Sequence, residues 1–541
     1  MCADVTGGFS FPEEAEIPEQ FRMGDPVVCN RYLVNGELRT WSGPLRDVLS
    51  PICLRTPEGP KQRLLGRYPL MGRAEALEAL DAAVRAYDHG RGPWPTMSVR
   101  QRIGHMERFV HRMRDIREEV VRLLMWEIGK THADAAREFD RTAEYVRDTV
   151  DALKDLDRVS SRFTLAQGIV GQIRRGPLGV ALCMGPYNYP LNETFTFLIP
   201  ALIMGNTVLF KPPRVGVLLH FPFLEAFRDA FPPGVVNTLF GRGEEVVHPL
   251  MATGKIDVLA FIGSSKVADS LKKQHPTPHR LRSVLGLEAK NAAIILKDAD
   301  LDQAASESTL GALSYNGQRC TALKILWVHK NAVGTFLEKL SAAVSALKCG
   351  MPWDPGVGIT PMPDAERVRY QMDLMQDAVA KGARVANPGG GSSAATFFSP
   401  AILYPVDASM RVYHEEQFGP LIPVASFDDI ETPVRYVIDS PYGQQVSIFG
   451  TDAAVIGKLV DPLVNQVCRV NINSQCQRGP DTFPFCGRKD SAEGTLSVSD
   501  ALRVFSIRTV VAAKATEPNK ALVEEIVRDH RSTFISTDFI L

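Results

Sequence analysis

Short apolar runs alternate with helical stretches after Gly176, and this alternation constrains the fold more than any other feature of the chain. The helical stretches separate the first four runs and cover 191–204, 217–231 and 265–275. The runs themselves cover 180–184, 207–210, 235–240, 258–262 and 292–296. This rhythm predicts a doubly wound, mostly parallel α/β sheet, which binds nucleotides beyond the carboxyl ends of its strands. A similar alternation from Cys320 to about Phe485 predicts a second α/β domain.

The other segments do not show this alternation of apolar runs and helical stretches. Residues 1–68 are rich in proline, glycine and turn residues, which predicts an arm with short strands. Residues 73–158 predict long amphipathic helices, because apolar side chains recur at helical spacing: Val110, Met113, Ile116, Val120, Val121 and Leu124. Residues 162–175 have the pattern of a hairpin, and 506–513 that of a late strand.

Composition excludes several classes of function. A chain of 541 residues exceeds what one core usually serves, and its net charge of −1 gives no general attraction to nucleic acid or membranes. The chain has no run of about 18 apolar residues, and its N-terminus lacks a signal-peptide pattern. The nine scattered cysteines include no CxxC pair, which predicts reduced thiols, no metal site and a cytoplasmic location.

Two residues have the chemistry of a covalent catalyst. Cys320 has small or cationic neighbours, among them Arg319, which favour an accessible thiolate, and thiolates attack carbonyl groups. The alternative is a buried structural thiol. The side-chain amide of Asn188 can donate to a developing oxyanion, although asparagine in such a loop is otherwise an ordinary turn residue.

Three strings together resemble the aldehyde dehydrogenase superfamily: NGQRCTA at 316–322, GPYNYP at 185–190 and HEEQFGP at 414–420. The resemblance implies a Rossmann-type dinucleotide-binding domain, an α/β catalytic domain, a small oligomerisation β-hairpin and a homodimer or homotetramer. It places the arm and first helices at 1–158, the hairpin at 159–175, the NADP-binding domain at 176–288, the catalytic domain at 289–490, and an oligomerisation strand with the tail at 491–541.

The resemblance also implies roles at the reaction centre. Cys320 is the nucleophile, Asn188 and the Cys320 backbone N–H form the oxyanion hole, and Glu416 and Phe418 lie on the nicotinamide side. Oxidation then leaves a thioester on Cys320 that water must hydrolyse.

The general base for that hydrolysis departs from the family pattern. Most relatives have ELGGK, with the glutamate a fixed distance before the cysteine, whereas this chain has GLEAK, which puts Gly286 at that position. Residues two apart in an extended segment point to the same side. Glu288 is therefore the candidate base; alternatively it serves structure or cofactor binding, and another group activates the water.

The cofactor prediction depends on three strings. The chain has no complete GxGxxG motif: GRG at 241–243, which begins at Gly241, is only a fragment of it, and the alternative is an ordinary turn. FIGSS places Gly263 and Ser264 at a helix start, where N–H groups bind phosphate. In KPPR at 211–214, NAD-preferring relatives usually have glutamate where this chain has Arg214. Lys211 and Arg214 offer two cations to a 2′-phosphate, which predicts NADP; the alternative is a pair of solvated charges.

Four residues predict the substrate: Arg141, Tyr189, Arg319 and Arg478 match substrate-binding positions of non-phosphorylating glyceraldehyde-3-phosphate dehydrogenases. Guanidinium groups suit a phosphate monoester. The resemblance thus implies NADP-dependent oxidation of glyceraldehyde 3-phosphate to 3-phosphoglycerate. The alternatives are another anionic aldehyde, such as a semialdehyde, and a catalytically silent homologue with a structural or regulatory role, which only Gly286 favours.

Overall fold

The computed structural model describes residues 9–538, so that Cys2 lies outside the described residues. Its first sheet contains five parallel strands and an antiparallel edge strand, in the order Val236–Thr238, Thr207–Lys211, Val180–Met184, Val258–Ile262, Arg282–Gly286 and Ala492–Glu493. The accompanying helices are Asn192–Ile203, Phe223–Ala230, Gly243–Ala252 and Ser265–Gln274. The predicted parallel α/β fold and the first four predicted strands are confirmed.

The second sheet has seven strands: Arg384–Val385, Ala401–Tyr404, Leu421–Phe427, Ile325–His329, Ala292–Ile295, Gln445–Phe449 and Arg469–Ile472. All its pairings are parallel except the first. The fifth predicted run, 292–296, forms a strand of this second sheet, Ala292–Ile295, and not of the first. Because no crossover helix lies between Gly286 and Ala292, the chain cannot return as a parallel neighbour and enters the second sheet instead.

The helices that accompany the second sheet are Leu301–Leu313, Val333–Ser345, Ala365–Ala380, Arg411–His414, Glu431–Asp439 and Ala453–Leu463. Short paired strands complete this half: Lys348–Cys349 with Val357–Ile359, Ser393–Ala394 with Phe397–Phe398, and Tyr442–Gly443 with Arg488–Lys489. The similar alternation predicted after Cys320 is therefore present as a second α/β layer.

The N-terminal region combines β-strands with long helices. The helices are Arg73–Tyr87, Val99–Asp115, Arg117–Ile128 and His132–Ser160, and the predicted apolar stripe crosses from the second to the third because Ile116 leaves helical geometry. The strands are Val27–Val28, Arg31–Val34, Glu37–Thr40, Leu45–Thr56 and Gly59–Pro69. The last two are long, so the expectation of short strands is wrong there. Pro51 falls where the pairing register shifts, which lets one long strand continue past it.

A small antiparallel sheet projects from both layers. It joins the hairpin Phe163–Ala166 and Ile169–Pro177 to the late strand Ser506–Lys514, and helix Val498–Val504 precedes that strand. Its exposed apolar side chains are Leu165, Ile169, Ile173, Ile507, Val510 and Val511. The predicted hairpin and late strand are confirmed, whereas the predicted domain boundaries stay predictions.

The chain beyond the late strand, which the family resemblance does not reach, forms helix Glu517–Arg528. After it, the backbone carbonyl of Ser536 accepts hydrogen bonds from the side chains of Gln172 and Arg174. Within residues 9–538, no helix is long and apolar enough to span a membrane, and no group of three or more His, Cys, Asp or Glu residues is placed to hold a metal ion.

Candidate active site

A cavity of about 670 Å³ opens where the parallel strands of the first sheet end, and residues of the second half close it. Gly185, Arg214, Gly263 and Gly286 line it at or just beyond the carboxyl ends of four strands, the position at which such sheets bind ligands. It also brings together eight residues predicted from sequence: Asn188, Arg214, Gly263, Ser264, Glu288, Cys320, Glu416 and Phe418. Lys211 and Gly241 are not among its lining residues.

The backbone around Cys320 is held in place from both sides. The preceding turn has two residues in the left-handed region, Tyr315 and Asn316, with φ of 50° and 55°, a conformation that persists only where neighbouring contacts enforce it. The carbonyl group of Cys320 accepts hydrogen bonds from Asn291 Nδ2 and Lys324 Nζ, both at 2.8 Å. The thiol therefore projects from a fixed loop.

Burial disfavours the ionised form of the Cys320 thiol, and the charges around it act in both directions. Burial raises the pKa of Cys320 to about 11, and the carboxylate of Glu193 adds to this rise, whereas Lys324 and Arg478 lower the pKa. The expectation that Arg319 favours the thiolate is wrong. Its guanidinium group donates to the carbonyl oxygens of Leu310 and Gly311 instead.

Asn188 lies beside the nucleophile through a backbone contact. Its Nδ2 donates to the carbonyl oxygen of Gln318 at 2.8 Å, two residues before Cys320. The backbone carbonyl of Asn188 in turn accepts from Lys130 Nζ at 3.0 Å. An amide carries two N–H bonds, so Asn188 retains a second donor in this arrangement.

The helix that begins at Ser265 provides an anion site. The backbone N–H of Ser265 donates to the Glu288 carboxylate at 2.9 and 3.2 Å, and the Ser264 side chain caps the helix. A helix N-terminus that already binds a carboxylate has the donors and the dipole that a pyrophosphate needs. Glu288 thus lines the cavity of Cys320, but its hydrogen bonds are to the predicted cofactor segment.

Two cations lie at and just beyond the end of the strand Thr207–Lys211. The Arg214 side chain is 56% exposed at the cavity wall, and its ion pair with Asp364 is long, at 3.9 Å. Lys211 lies behind it, where burial lowers its pKa to about 8, and its Nζ donates to the carbonyl of Pro212. Arg214 is therefore the available cation, and the residues present fit a dinucleotide with a phosphorylated ribose.

Glu416 and Phe418 line the opposite wall. Glu416 forms an ion pair with Lys324 at 2.7 Å and accepts from the backbone N–H of Ala289 at 3.2 Å. The ring of Phe418 packs edge-on to Tyr187, with centroids 5.8 Å apart. Lys324 thus contacts both the carbonyl of Cys320 and the predicted nicotinamide side.

The predicted substrate residues separate into two places. Arg141 binds Asp481 with two hydrogen bonds of 2.7 Å, and Arg478 binds the same carboxylate at 3.2 Å and pairs with Glu193. Arg478 also stacks on Phe485, which lines the Cys320 cavity. In contrast, the structure places Tyr189 and Arg319 along a second cavity, away from the thiol.

Sequence reasoning missed Glu193. It lies in the first turn of helix Asn192–Ile203, lines the Cys320 cavity and is buried with Arg478. Apart from Asn192, which is also buried, and threonines, its helix is apolar throughout. A lone buried acid in such a helix requires a partner, and this was the signal available in the sequence.

The comparisons with known proteins agree with this geometry. Residues 54–511 match the profile of the Aldehyde dehydrogenase family. The chain is 32% identical to an NADP-dependent glyceraldehyde-3-phosphate dehydrogenase of Streptococcus equinus, over 84% of this chain and 92% of that protein. It is 28% identical to a probable NADP(+) succinate-semialdehyde dehydrogenase of Sinorhizobium fredii, over 80% and 87%.

Among solved structures, the crystal structure of NADP-dependent glyceraldehyde-3-phosphate dehydrogenase from Bacillus halodurans in complex with NADP is similar, with a TM-score of 0.82. The two sequences are 29% identical, and the match covers 90% of this chain and 99% of the other.

Replacing Glu193 by glutamine should lower the pKa of Cys320. The change removes the carboxylate that disfavours the thiolate and frees Arg478 to favour it. We expect the midpoint of the pH profile for iodoacetamide alkylation of Cys320 to fall by about one pH unit. Glu415→Gln is the matched control, because Glu415 pairs with Arg411; an equal shift in both variants, or none in Glu193→Gln, would contradict the assignment.

Proposed function

Because the chain belongs to the aldehyde dehydrogenase family, we propose that it oxidises glyceraldehyde 3-phosphate to 3-phosphoglycerate with NADP, without inorganic phosphate. The observation that carries this proposal is one cavity that holds Cys320 and Asn188 at one end and an anion-binding helix start with Arg214 at the other. The relatives named above act on phosphorylated or carboxylated aldehydes, and this similarity supports the same substrate class.

Cys320 performs the covalent step. Its thiolate attacks the aldehyde carbon, a C–S bond forms, and the carbonyl oxygen becomes an oxyanion that Asn188 Nδ2 and the Cys320 N–H stabilise. NADP, when bound, supplies the hydride acceptor for the oxidation. A thioester on Cys320 results; water then adds to its acyl carbon, the C–S bond breaks, and the thiolate and a carboxylate product are released.

Glu288 activates the water in this proposal. Gly286 carries no acid, and the Glu288 carboxylate lines the same cavity. In the structure this carboxylate accepts a hydrogen bond from the Ser265 N–H. Ser265 cannot give that N–H to both Glu288 and a pyrophosphate oxygen, so cofactor binding releases the carboxylate for the water.

In this proposal, one set of residues binds the phosphates of the cofactor and another contacts its nicotinamide half. Gly263, Ser264 and the Ser265 N–H hold the pyrophosphate, and Arg214, supported by Lys211, meets the 2′-phosphate. Gly241 shapes the turn after the neighbouring strand: its φ is 126°, and a Cβ there would lie 2.7 Å from the Met71 carbonyl. Glu416 and Phe418 contact the nicotinamide half.

Arg141 and Arg478 recognise the anionic end of the substrate. Both already bind the carboxylate of Asp481, so their guanidinium groups are arranged around an anion. With Glu193 and Asp481 they form a network without net charge, and a substrate anion must displace Asp481. This charge balance favours a second candidate, a semialdehyde with a single carboxylate. The substrate roles of Tyr189 and Arg319 stay predictions.

The exposed apolar face of the three-stranded sheet is the surface we assign to a homo-oligomer, a dimer or tetramer. Ile169, Ile173 and Val510 are between 39% and 58% exposed, and they share one face because Ile173 pairs with Val510 and lies four residues after Ile169 on the same strand. Contiguous exposed apolar patches of this kind mark interaction surfaces.

The substrate assay tests the function directly. We expect NADPH and 3-phosphoglycerate from glyceraldehyde 3-phosphate without phosphate, and a much lower kcat/KM for unphosphorylated glyceraldehyde. Arg141→Ala should lower kcat/KM roughly 10-fold to 100-fold for the phosphorylated aldehyde only, because one charge-assisted contact is lost. Arg147→Ala, an exposed arginine of the same helix, is the matched control.

Other outcomes separate the alternatives. Faster oxidation of succinate semialdehyde would identify the semialdehyde function. Equal losses for both glyceraldehydes in Arg141→Ala would make that arginine structural. A wild-type protein that binds NADP but shows no more turnover than Cys320→Ser would be a catalytically silent homologue.

Arg214→Glu should reverse the cofactor preference. A repulsive carboxylate then replaces the cation at the 2′-phosphate, so the Kd for NADP should rise at least roughly 10-fold while the Kd for NAD changes little. Fluorescence titration of both dinucleotides measures this. The control Arg280→Glu changes an exposed arginine that does not line the cavity; equal losses for both dinucleotides in Arg214→Glu would rule out a contact with the 2′-phosphate.

Glu288→Gln should separate the two halves of the reaction. Glutamine keeps an acceptor for Ser265 but is a poor base, so the first burst of NADPH should remain while steady-state turnover falls roughly 100-fold. Rapid-mixing absorbance measurements distinguish these phases. Loss of the burst would place Glu288 in acylation or cofactor binding, and unchanged turnover would assign the water to another residue.

A further inference from the structure

Two thiols meet at the ends of the segment 468–486, whose residues Arg478, Asp481 and Phe485 form what we call the substrate wall of the proposed site. The sulfur atoms of Cys468 and Cys486 lie 3.2 Å apart, and both cysteines are free. Cys468 is exposed and Cys486 is half-buried, so a small oxidant reaches the pair. Neither residue takes part in the chemistry proposed above.

The pair contains one activated sulfur. The two sulfur atoms share a hydrogen bond for which either thiol can be the donor. This contact lowers the pKa of Cys486 and raises that of Cys468, and Thr495 and Arg488 add to the fall at Cys486. Cys486 is therefore the sulfur that more readily forms the thiolate, which is the form that reacts with oxidants, and its resolving partner is already in contact.

The chain between the two cysteines carries the anion-binding network. Arg478 and Asp481 lie within it, and Phe485, immediately before Cys486, lines the Cys320 cavity and stacks against Arg478 at 4.5 Å. A covalent bond from Cys468 to Cys486 would close this segment into a loop that includes the substrate wall.

We propose that Cys468 and Cys486 form a reversible disulfide with hydrogen peroxide, and that this bond restrains the substrate wall. The Cys486 thiolate attacks peroxide, so that an S–O bond forms, the O–O bond breaks and hydroxide leaves. Cys468 then loses its proton and attacks the Cys486 sulfur: the S–S bond forms, the S–O bond breaks and the oxygen leaves as water. In sum, two thiols and one peroxide give one disulfide and two waters.

The consequence rests on the proposed function. An anionic substrate must displace Asp481 from Arg141 and Arg478, which requires the segment to move. Because the disulfide holds that segment in the arrangement in which Asp481 binds both arginines, the KM for the anionic aldehyde should rise roughly 10-fold, about the loss of one charge-assisted contact. The KM for an unphosphorylated aldehyde should change little.

Peptide mass spectrometry of the full-length protein tests the bond itself. After treatment with stoichiometric hydrogen peroxide we expect a peptide cross-linked between Cys468 and Cys486, about 2 Da lighter than its reduced parts, which dithiothreitol cleaves. Cys468→Ser and Cys486→Ser should abolish it, and Cys349→Ser, a cysteine without a thiol partner in the described chain, should not. Absence of the cross-linked peptide would overturn the proposal, whatever the substrate proves to be.

Kinetics then test the consequence. Any oxidation of Cys320 by peroxide lowers kcat equally in wild type and in Cys468→Ser, whereas the disulfide raises KM in wild type alone. A KM that is unchanged in cross-linked wild-type protein would overturn the restraint on the substrate wall. Failure of the proposed function would instead appear as a lack of turnover before any oxidation.

Discussion

The buried ion pair between Lys130 and Glu138 is the interaction on which the reaction centre depends. Both side chains are fully buried, and Glu138 accepts from the backbone N–H groups of Leu191 and Asn192 while Lys130 holds the carbonyl of Asn188. A buried charge is tolerated only when it is paired and hydrogen-bonded, and removing one partner of such a pair typically costs about 3–5 kcal/mol. The pair thus fixes the loop that presents the Asn188 amide.

The same lysine connects this loop to the nucleophile. Lys130 Nζ lies over the rings of Tyr189 and Tyr315, 3.5 and 4.5 Å from their centroids, and Tyr315 belongs to the strained turn before Cys320. A desolvated cation on two aromatic faces is a directional contact. Tyr189 therefore has a packing role in this structure: through Lys130 it links the loop of Asn188 to the turn before Cys320, from outside the cavity.

The balance of charge at the thiol depends on a second lysine. Lys324 contacts the carbonyl of Cys320 and lowers the thiol pKa, but its ion pair with Glu416 offsets this effect, because Glu416 raises the same pKa. A group that touches Glu416 from the cofactor side therefore changes the charge that Cys320 experiences. We therefore expect occupancy of the proposed nicotinamide side to alter the reactivity of Cys320 through this pair.

The sequence predicted the elements more reliably than the directions of side chains. Apolar runs located four strands of the first sheet, since burial on both faces requires continuous apolar residues. The motifs placed eight residues in one cavity. The direction of Arg319 was not predictable, because neighbours along the chain do not reveal which carbonyl groups lie free to accept. Glu193 was missed for a similar reason: its partner, Arg478, is remote in sequence.

Glu288 lines the Cys320 cavity, but not for the reason on which its prediction rested. The expectation used the two-residue period of a strand, yet the strand ends at Gly286, and residues 287–291 have no regular structure. Gly286 is not required by the backbone either, because an added Cβ would meet only the Ile262 side chain, at 3.2 Å or more. With the acid at position 288 rather than 286, its carboxylate accepts a hydrogen bond from the Ser265 N–H. Since a carboxylate and a phosphate compete for that one donor, we expect cofactor binding to release the Glu288 carboxylate for its proposed role as the base.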